Sequence, residues 1–285
     1  MSFIKKQCSR PIQGTGVGLR SCHYNYILKH RPPIPWFEAL SDNYMVEGGP
    51  ALHYLDAIRE HYPMVLHGVG LSLGSTDPLS QDYLTKLKAL VDRVNPAWVS
   101  DHLSWISVNG HYLHDLLPLP YTHEAIQHLA NRIRQVQDYL GKPFLIENVS
   151  SYFEYKKSEI TEWEFINTIA EKADCFILLD INNIYVSAIN HGFDPRMYVQ
   201  SITRDRVKQF HLAGFSDKRR FLFDNHGEIV HQPVWDLYRV ALKHFGEIPA
   251  LIEWDENIPK FPVLQTEAEK AQAIMNEMQG SVRCN

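Results

Sequence analysis

Much is missing from this 285-residue sequence, and each absence narrows it. Its four cysteines, Cys8, Cys22, Cys175 and Cys284, have no C-x-x-C spacing and no compact framework. That argues against a disulfide scaffold and a zinc ribbon, and fits reduced thiols in a cytoplasmic setting. No apolar run approaches the roughly 18 residues of a membrane-spanning helix. The opening MSFIKKQCSRPIQG also lacks the apolar core of a signal peptide. A cytoplasmic protein with no membrane partner is the expectation. Excess positive charge is absent too: 28 Lys and Arg against 33 Asp and Glu leave a net charge of −5. The one dense basic cluster is Lys218-Arg219-Arg220, which reads as a solvated loop tip, so no nucleic-acid partner is expected. Low-complexity linkers and internal repeats are lacking as well. The whole of 1–285 therefore reads as a single domain, with a short lead-in over 1–13 and a tail from about 280 to 285.

What is present is a succession of short apolar, β-branched or aromatic runs, at 16–20, 36–40, 64–68, 98–102, 144–148, 176–181, 207–212 and 250–254. Most are continuously apolar, as in a parallel sheet covered on both faces. Helical patterns separate them. One runs over 80–93. Another runs over 122–140 and stops at Gly141. Thr161 and Glu164 form a capping box, Pro233 stands in a first turn, and Thr266 with Glu269 is expected to cap the last helix. Eight strands alternating with helices predict an α/β fold, a single (β/α)8 TIM barrel. A doubly wound open sheet is the runner-up.

In such a barrel the active site lies at the carboxyl ends of the strands. His67 stands at the end of strand three, and Asp101-His102 at the end of strand four. Glu147-Asn148 ends strand five, and Asp180 ends strand six, followed by Asn182-Asn183. Strand seven ends in His211, its loop carries Asp224 and His226, and strand eight ends in Glu253 and Asp255. Six successive strands thus offer a histidine or a carboxylate to one mouth.

Each residue alone has an ordinary explanation. A histidine at a strand end is commonly hydrogen-bonded to a neighbouring carbonyl, a buried glutamate is commonly half of an ion pair, and Asp-Asn-x-Gly composition favours turns. Together, four or more carboxylates beside four histidines, with few lysines or arginines near them in sequence, would repel one another without cations. Bound metal ions supply that charge, and a mixed imidazole and carboxylate set suits iron, zinc or manganese. The Gly14-Thr-Gly16-Val-Gly18 stretch precedes its strand and lacks G-x-G-x-x-G spacing, so it reads as close packing and not as a phosphate loop. His53, His61, His123, His128 and His244 fall on outer helix faces, while His23, His111, His114, His191 and His231 read as loop residues.

HGVGLSLG (67–74), SDHLSW (100–105), IENVSSY (146–152), LLDINNIYVSAINHG (178–192), FHLAG (210–214), DNHG (224–227) and IEWD (252–255) together resemble the multinuclear non-heme iron-dependent oxidative enzymes, a family formerly catalogued only as an uncharacterised bacterial domain. The likeness spans nearly the whole chain. It implies a xylose isomerase-like TIM barrel with two or three iron ions, and metal ligands at His67, His102, Glu147, Asp180, Asn183, His211, Asp224, His226 and Glu253. Asn183 takes the place of a histidine in related endonucleases, a weaker, neutral donor that would leave one metal more open. Glu147 could bridge two metals, and Asp101, Asn183 and Glu147 are the candidate catalytic residues. The implied activity is dioxygen-using oxidation of cysteines in a ribosomally synthesised precursor peptide, into heterocycles or related products. A separate leader-peptide-binding protein is the implied partner. Two other readings stay open. One is a metal-dependent hydrolase, endonuclease or sugar isomerase; an isomerase would need a lysine near the metals, for which Lys142 and Lys260 are the candidates. The other is a noncatalytic metal-binding scaffold.

Overall fold

The structure is a computed structural model that describes residues 11–283; Cys8 and Cys284, with most of the predicted lead-in and the end of the tail, lie outside the described residues. Eight parallel strands close in chain order: β1 (Thr15–Gly18), β2 (Phe37–Leu40), β3 (Met64–Gly68), β4 (Val99–His102), β5 (Phe144–Glu147), β6 (Phe176–Asp180), β7 (Val207–Leu212) and β8 (Ala250–Ile252). The last pairs back onto the first, Gly16 opposite Leu251, so the barrel sheet has no open edge and the doubly wound alternative is excluded. Every predicted strand is present within two residues of its predicted bounds. The first ends early because Arg20 leaves the ladder, donating from Nε to the Trp254 carbonyl and pairing with Asp255.

The helices are α1 (Tyr24–His30), α2 (Pro50–Arg59), α3 (Gln81–Val94), α4 (His123–Leu140), α5 (Glu162–Ala173), α6 (Ile181–His191), α7 (Pro195–Ser201), α8 (Gln232–Phe245) and α9 (Phe261–Arg283). Ser80 and Thr122 cap α3 and α4 by accepting from Tyr83 N and Ala125 N, and Thr161 with Glu164 closes the expected capping box. The expectation for Thr266 is wrong. Helix α9 starts five residues earlier, and Thr266 lies inside it with its hydroxyl donating to the Pro262 carbonyl. The start is set by packing: Phe261 is buried against the rings of Tyr26 and His23, and burying it outweighs the local cap signal. His191 is likewise the last residue of α6, not a loop residue.

Two-residue alternation along the strands builds the barrel interior in layers. Trp36, Val65, Trp98, Leu145, Leu178 and Leu251 form one apolar cluster, separate from the larger core between sheet and helices, and they plug the barrel. Two residues further along each chain segment stand Glu38, His67, Ser100, Glu147, Asp180 and Glu253, all buried. Strand β7 adds Gln209 and His211 in the same rhythm, and β4 adds His102. An apolar floor thus carries a polar layer, and that layer is the base of the mouth.

Gly16 makes the floor possible. A Cβ there would come within 2.5 Å of the Trp36 ring, so only glycine admits the indole into the barrel. This bears out close packing as the role of the glycine-rich start. Gly16→Ala is expected to destabilise the fold by about 1 to 3 kcal/mol through overpacking, read from urea unfolding. An unchanged midpoint would contradict that account.

Candidate metal centre

Glu147 stands at the middle of the mouth. Its Oε2 lies 3.3 Å from His67 Nε2 and 3.2 Å from His102 Nε2, while its Oε1 lies 3.2 Å from His211 Nδ1. The two oxygens therefore face two different groups. On the second side, His211 Nδ1 lies 2.9 Å from Glu253 Oε2 and 4.0 Å from Asp180 Oδ2. Beyond it, His226 Nδ1 approaches Glu253 Oε2 at 3.2 Å and Asp255 Oδ2 at 3.3 Å, and its Nε2 lies 2.7 Å from Asp224 Oδ1. Three overlapping sets could each hold a metal ion: His67, His102 and Glu147; Glu147, Asp180, His211 and Glu253; and His226, Glu253 and Asp255. Glu147 is shared by the first two and Glu253 by the last two.

Local structure explains how each side chain is aimed. Asp180 ends β6 and is at once the N-cap of α6. Its Oδ1 accepts from Asn183 N at 2.6 Å, leaving Oδ2 for the mouth. Asn148 clamps the strand end, accepting from Asp180 N and donating to its carbonyl. Asn182 donates to Asp224 Oδ1 and so steadies the loop after β7. That loop also carries a small hairpin whose tip holds Lys218, Arg219 and Arg220, all exposed, as the basic cluster suggested.

The buried polar atoms test whether metals fit. Glu147 Oε2, Asp180 Oδ2, Asn182 Oδ1, Asn183 Oδ1, His211 Nδ1 and His226 Nε2 have no hydrogen-bond partner. Two of them nevertheless have a carboxylate oxygen within 3 Å, His211 Nδ1 at Glu253 and His226 Nε2 at Asp224. Buried groups without partners cost free energy. Atoms that crowd together without bonding one another have the donor geometry of ligands around a cation.

Electrostatics agrees. Burial is the largest influence on Asp180 and Glu147, raising the first well above its ordinary value and the second to about 7. Burial also lowers His67 and His102, favouring the neutral imidazoles that bind metals. For His211 and His226 burial again acts downward, but the surrounding carboxylates, with Glu38 and Asp224 foremost, outweigh it and hold both well above the ordinary histidine value. Glu253 is the reverse case: burial pushes it up, and the two histidines prevail and keep it well below. Without metal, protons must do the work of cations.

The structure thus brings His67, His102, Glu147, Asp180, His211, Asp224, His226 and Glu253 together. Asn183 lines the same cleft, donating from Nδ2 to the Asn148 carbonyl with its Oδ1 unpartnered. Asp101 is placed apart: it is buried under Gly68, accepts backbone N–H groups from His102 and Leu71, and does not line the cleft. Lys142 bonds Asn95 and the Pro96 carbonyl just before β5, at the far end of the barrel, and Lys260 is exposed. Arg20 alone among the described lysines and arginines lines the cleft, so no lysine stands ready for isomerase chemistry. Sequence reasoning missed two residues. Asp255 was placed at the mouth but not among the ligands. Glu38 stands outside every motif, but on β2 it follows the inward Trp36 by two positions, and that alternation is the signal that points to it.

A closed parallel barrel with this mouth defines a xylose isomerase-like TIM barrel whose buried clusters could bind metal ions. Solved structures agree on the fold. A xylose isomerase domain protein from Alicyclobacillus acidocaldarius superposes with a TM-score of 0.61 at 15% identity, over 93% of this chain and 98% of that one. D-psicose 3-epimerase with D-tagatose, from Clostridium cellulolyticum, gives 0.58 at 11% identity, over 93% and 98%. A UPF0276 protein of Acaryochloris marina is 55% identical over 264 residues, 93% of this chain and 95% of that protein, and one of Caulobacter vibrioides is 48% identical over 265 residues. Residues 14–276 match the family described as RiPP precursor modification enzyme MbnB/TglH/ChrH, and the chain belongs to that family. It is therefore an enzyme of the class that modifies precursors of ribosomally synthesised, post-translationally modified peptides, and its substrate class is a peptide. Among the described residues no helix is long and apolar enough to cross a membrane.

The titration pattern has a consequence for stability. A histidine raised when folded contributes fully below its unfolded value of 6.5 and loses that contribution as pH climbs through the raised value. Asp180 and Glu147, raised when folded, add a cost that grows upward from their unfolded values of 3.8 and 4.5. Glu253, held low, contributes above 4.5 and loses this only in acid. Chelator-stripped protein is therefore expected to lose stability as pH rises from about 6 to about 9, and metal-loaded protein much less. A denaturant midpoint of the stripped protein that climbs over this range would refute the assignment.

Proposed function

We propose that this chain is a multinuclear iron enzyme that uses dioxygen to oxidise cysteine residues of a ribosomally synthesised precursor peptide, forming heterocycles or related products. In this reading it works with a separate protein that recognises the peptide leader. The observation that carries the proposal is Glu147, whose two oxygens face two buried histidine groups, within a set of three overlapping groups. Such sharing suits closely spaced metal ions. The iron, the dioxygen and the leader-recognising partner rest on the resemblance of the ordered motifs.

His67, His102, Glu147, Asp180, Asn183, His211, Asp224, His226 and Glu253 would hold two or three ions. Bound there, iron would supply Lewis acidity toward a thiol and redox chemistry with dioxygen. The chain does the rest. The cleft above the groups has a volume of about 920 Å³, enough to admit a peptide side chain with its flanking backbone. Its rim includes Tyr152 and Phe223, stacked with ring centroids 5.7 Å apart, which offer apolar surface beside the polar base. Burial of the base keeps water from the reacting groups. Asn183 offers a neutral oxygen where a charged or imidazole ligand would bind more strongly, and so favours a position open to substrate.

The test is direct. Anaerobically purified protein is expected to contain iron. Mixed with the cysteine-containing peptide and the partner encoded beside it, it is expected to consume oxygen and change the peptide's mass. Zinc alone, with no oxygen uptake, would overturn the proposal and leave a hydrolase or a noncatalytic scaffold. Glu147→Gln is expected to empty both groups that share it and to lower oxygen uptake by more than about 100-fold. Near-normal uptake in that variant would mean that Glu147 does not bridge.

A further inference from the structure

Each of three buried histidines in the mouth turns one ring nitrogen toward Glu147 and the other outward, but the outward partners differ. His67 Nδ1 lies 2.8 Å from the Ser100 hydroxyl, which in turn donates toward the Leu66 carbonyl. His102 Nδ1 donates to the Gly68 carbonyl at 3.2 Å. Only His211 has a carboxylate within hydrogen-bond distance of its outward nitrogen: its Nε2 lies 3.2 Å from each oxygen of Glu38, whereas His102 Nδ1 is 4.0 Å from Asp101 Oδ1. Glu38 is itself anchored from the apolar floor. Trp98 Nε1 donates to Gln209 Oε1 at 2.7 Å, which turns the amide so that its nitrogen donates to Glu38 Oε2 at 2.6 Å.

The Gln209 nitrogen also lies 2.9 Å from His211 Nε2, and an amide donating there would force the ring proton onto Nδ1. Two observations favour the opposite tautomer. The amide has a closer acceptor in Glu38, and His211 Nδ1 forms no hydrogen bond although Glu253 Oε2 is only 2.9 Å away. In the neutral ring that would bind a metal, the proton is on Nε2 and directed at Glu38, which leaves Nδ1 free to face Glu147, Asp180 and Glu253.

We propose that Glu38 is the positioning residue of this centre: it fixes the tautomer and orientation of His211 and makes the Glu147–Asp180–His211–Glu253 position the most tightly held in the mouth. This rests on the mouth being a metal centre. The physical basis is that a carboxylate accepting the outer N–H of a ligating imidazole locks the ring and increases its basicity toward a metal, whereas a hydroxyl or a peptide carbonyl does so less. Glu38 touches neither cleft nor substrate; it acts through His211.

The test titrates metal-stripped protein with Co2+ alone, following visible absorption and heat, so that no turnover is needed. Wild type is expected to fill one position ahead of the others, and His211→Ala to abolish that position. Glu38→Gln, which keeps the shape and removes the charge, is expected to weaken the same equivalent by about 10- to 100-fold and leave the others unchanged. Ser100→Ala is expected to weaken only the His67 and His102 position, and by less. Circular dichroism and thermal unfolding of the stripped variants separate loss of fold from loss of metal. Wild-type affinity at every equivalent in Glu38→Gln overturns the proposal, as does a uniform loss at all of them, which marks a merely structural role. Wild-type protein that takes up no Co2+ overturns the metal reading of the mouth as well.

Discussion

Carboxylates and imidazoles crowd a buried, low-dielectric pocket where few positive side chains reach them. Moving Glu147, Asp180 and Glu253 out of water carries a large desolvation cost, and mutual repulsion adds to it. The raised acids and raised histidines of the metal-free chain are the response available to protons alone. Metal ions relieve the same strain with fixed charge. On this view, binding of metal and stability of the mouth are one free energy.

The barrel supplies the means of concentrating that charge. Strand alternation turns every second residue inward, so an apolar layer at Trp36, Val65, Leu145, Leu178 and Leu251 is followed two residues later by Glu38, His67, Glu147, Asp180 and Glu253. The floor is dry and well packed, with Gly16 making room for Trp36. The polar layer therefore rests on a rigid base and opens only toward the cleft. Helix α6 begins at the residue after β6, and this direct junction makes Asp180 serve both as a helix cap and as a member of the site. Loops contribute Asp224, His226 and Asp255, of which His226 is buried, Asp224 half-buried and Asp255 exposed.

Similarity of fold and similarity of chemistry separate here. Sugar epimerases share the barrel at low identity, while the UPF0276 relatives and the matched family resemble this chain in sequence over nearly its whole length. The same scaffold accepts different chemistries because function lives in the residues at the strand ends, not in the fold itself. Among the described residues no lysine lines the cleft, and the rings of Tyr152 and Phe223 stand at its rim.

Local pattern in the sequence was enough for the eight strands, for the starts of α3, α4, α5 and α8, and for which strand ends carry histidine or carboxylate. Those features depend on residues near one another in the chain. It misplaced the start of α9, because burial of Phe261 among distant rings prevails over the cap at Thr266. It overlooked Glu38, whose meaning depends on His211, 173 residues away. It placed Asp101 next to His102; its carboxylate lies 4.0 Å from His102 Nδ1, beneath Gly68 and outside the cleft, a position only the folded strand reveals. Which oxygen of Glu147 faces which histidine, and which nitrogen of each ring is left bare, only the closed barrel decides. These are angles between side chains from strands far apart in sequence, and they exist only once the sheet has closed.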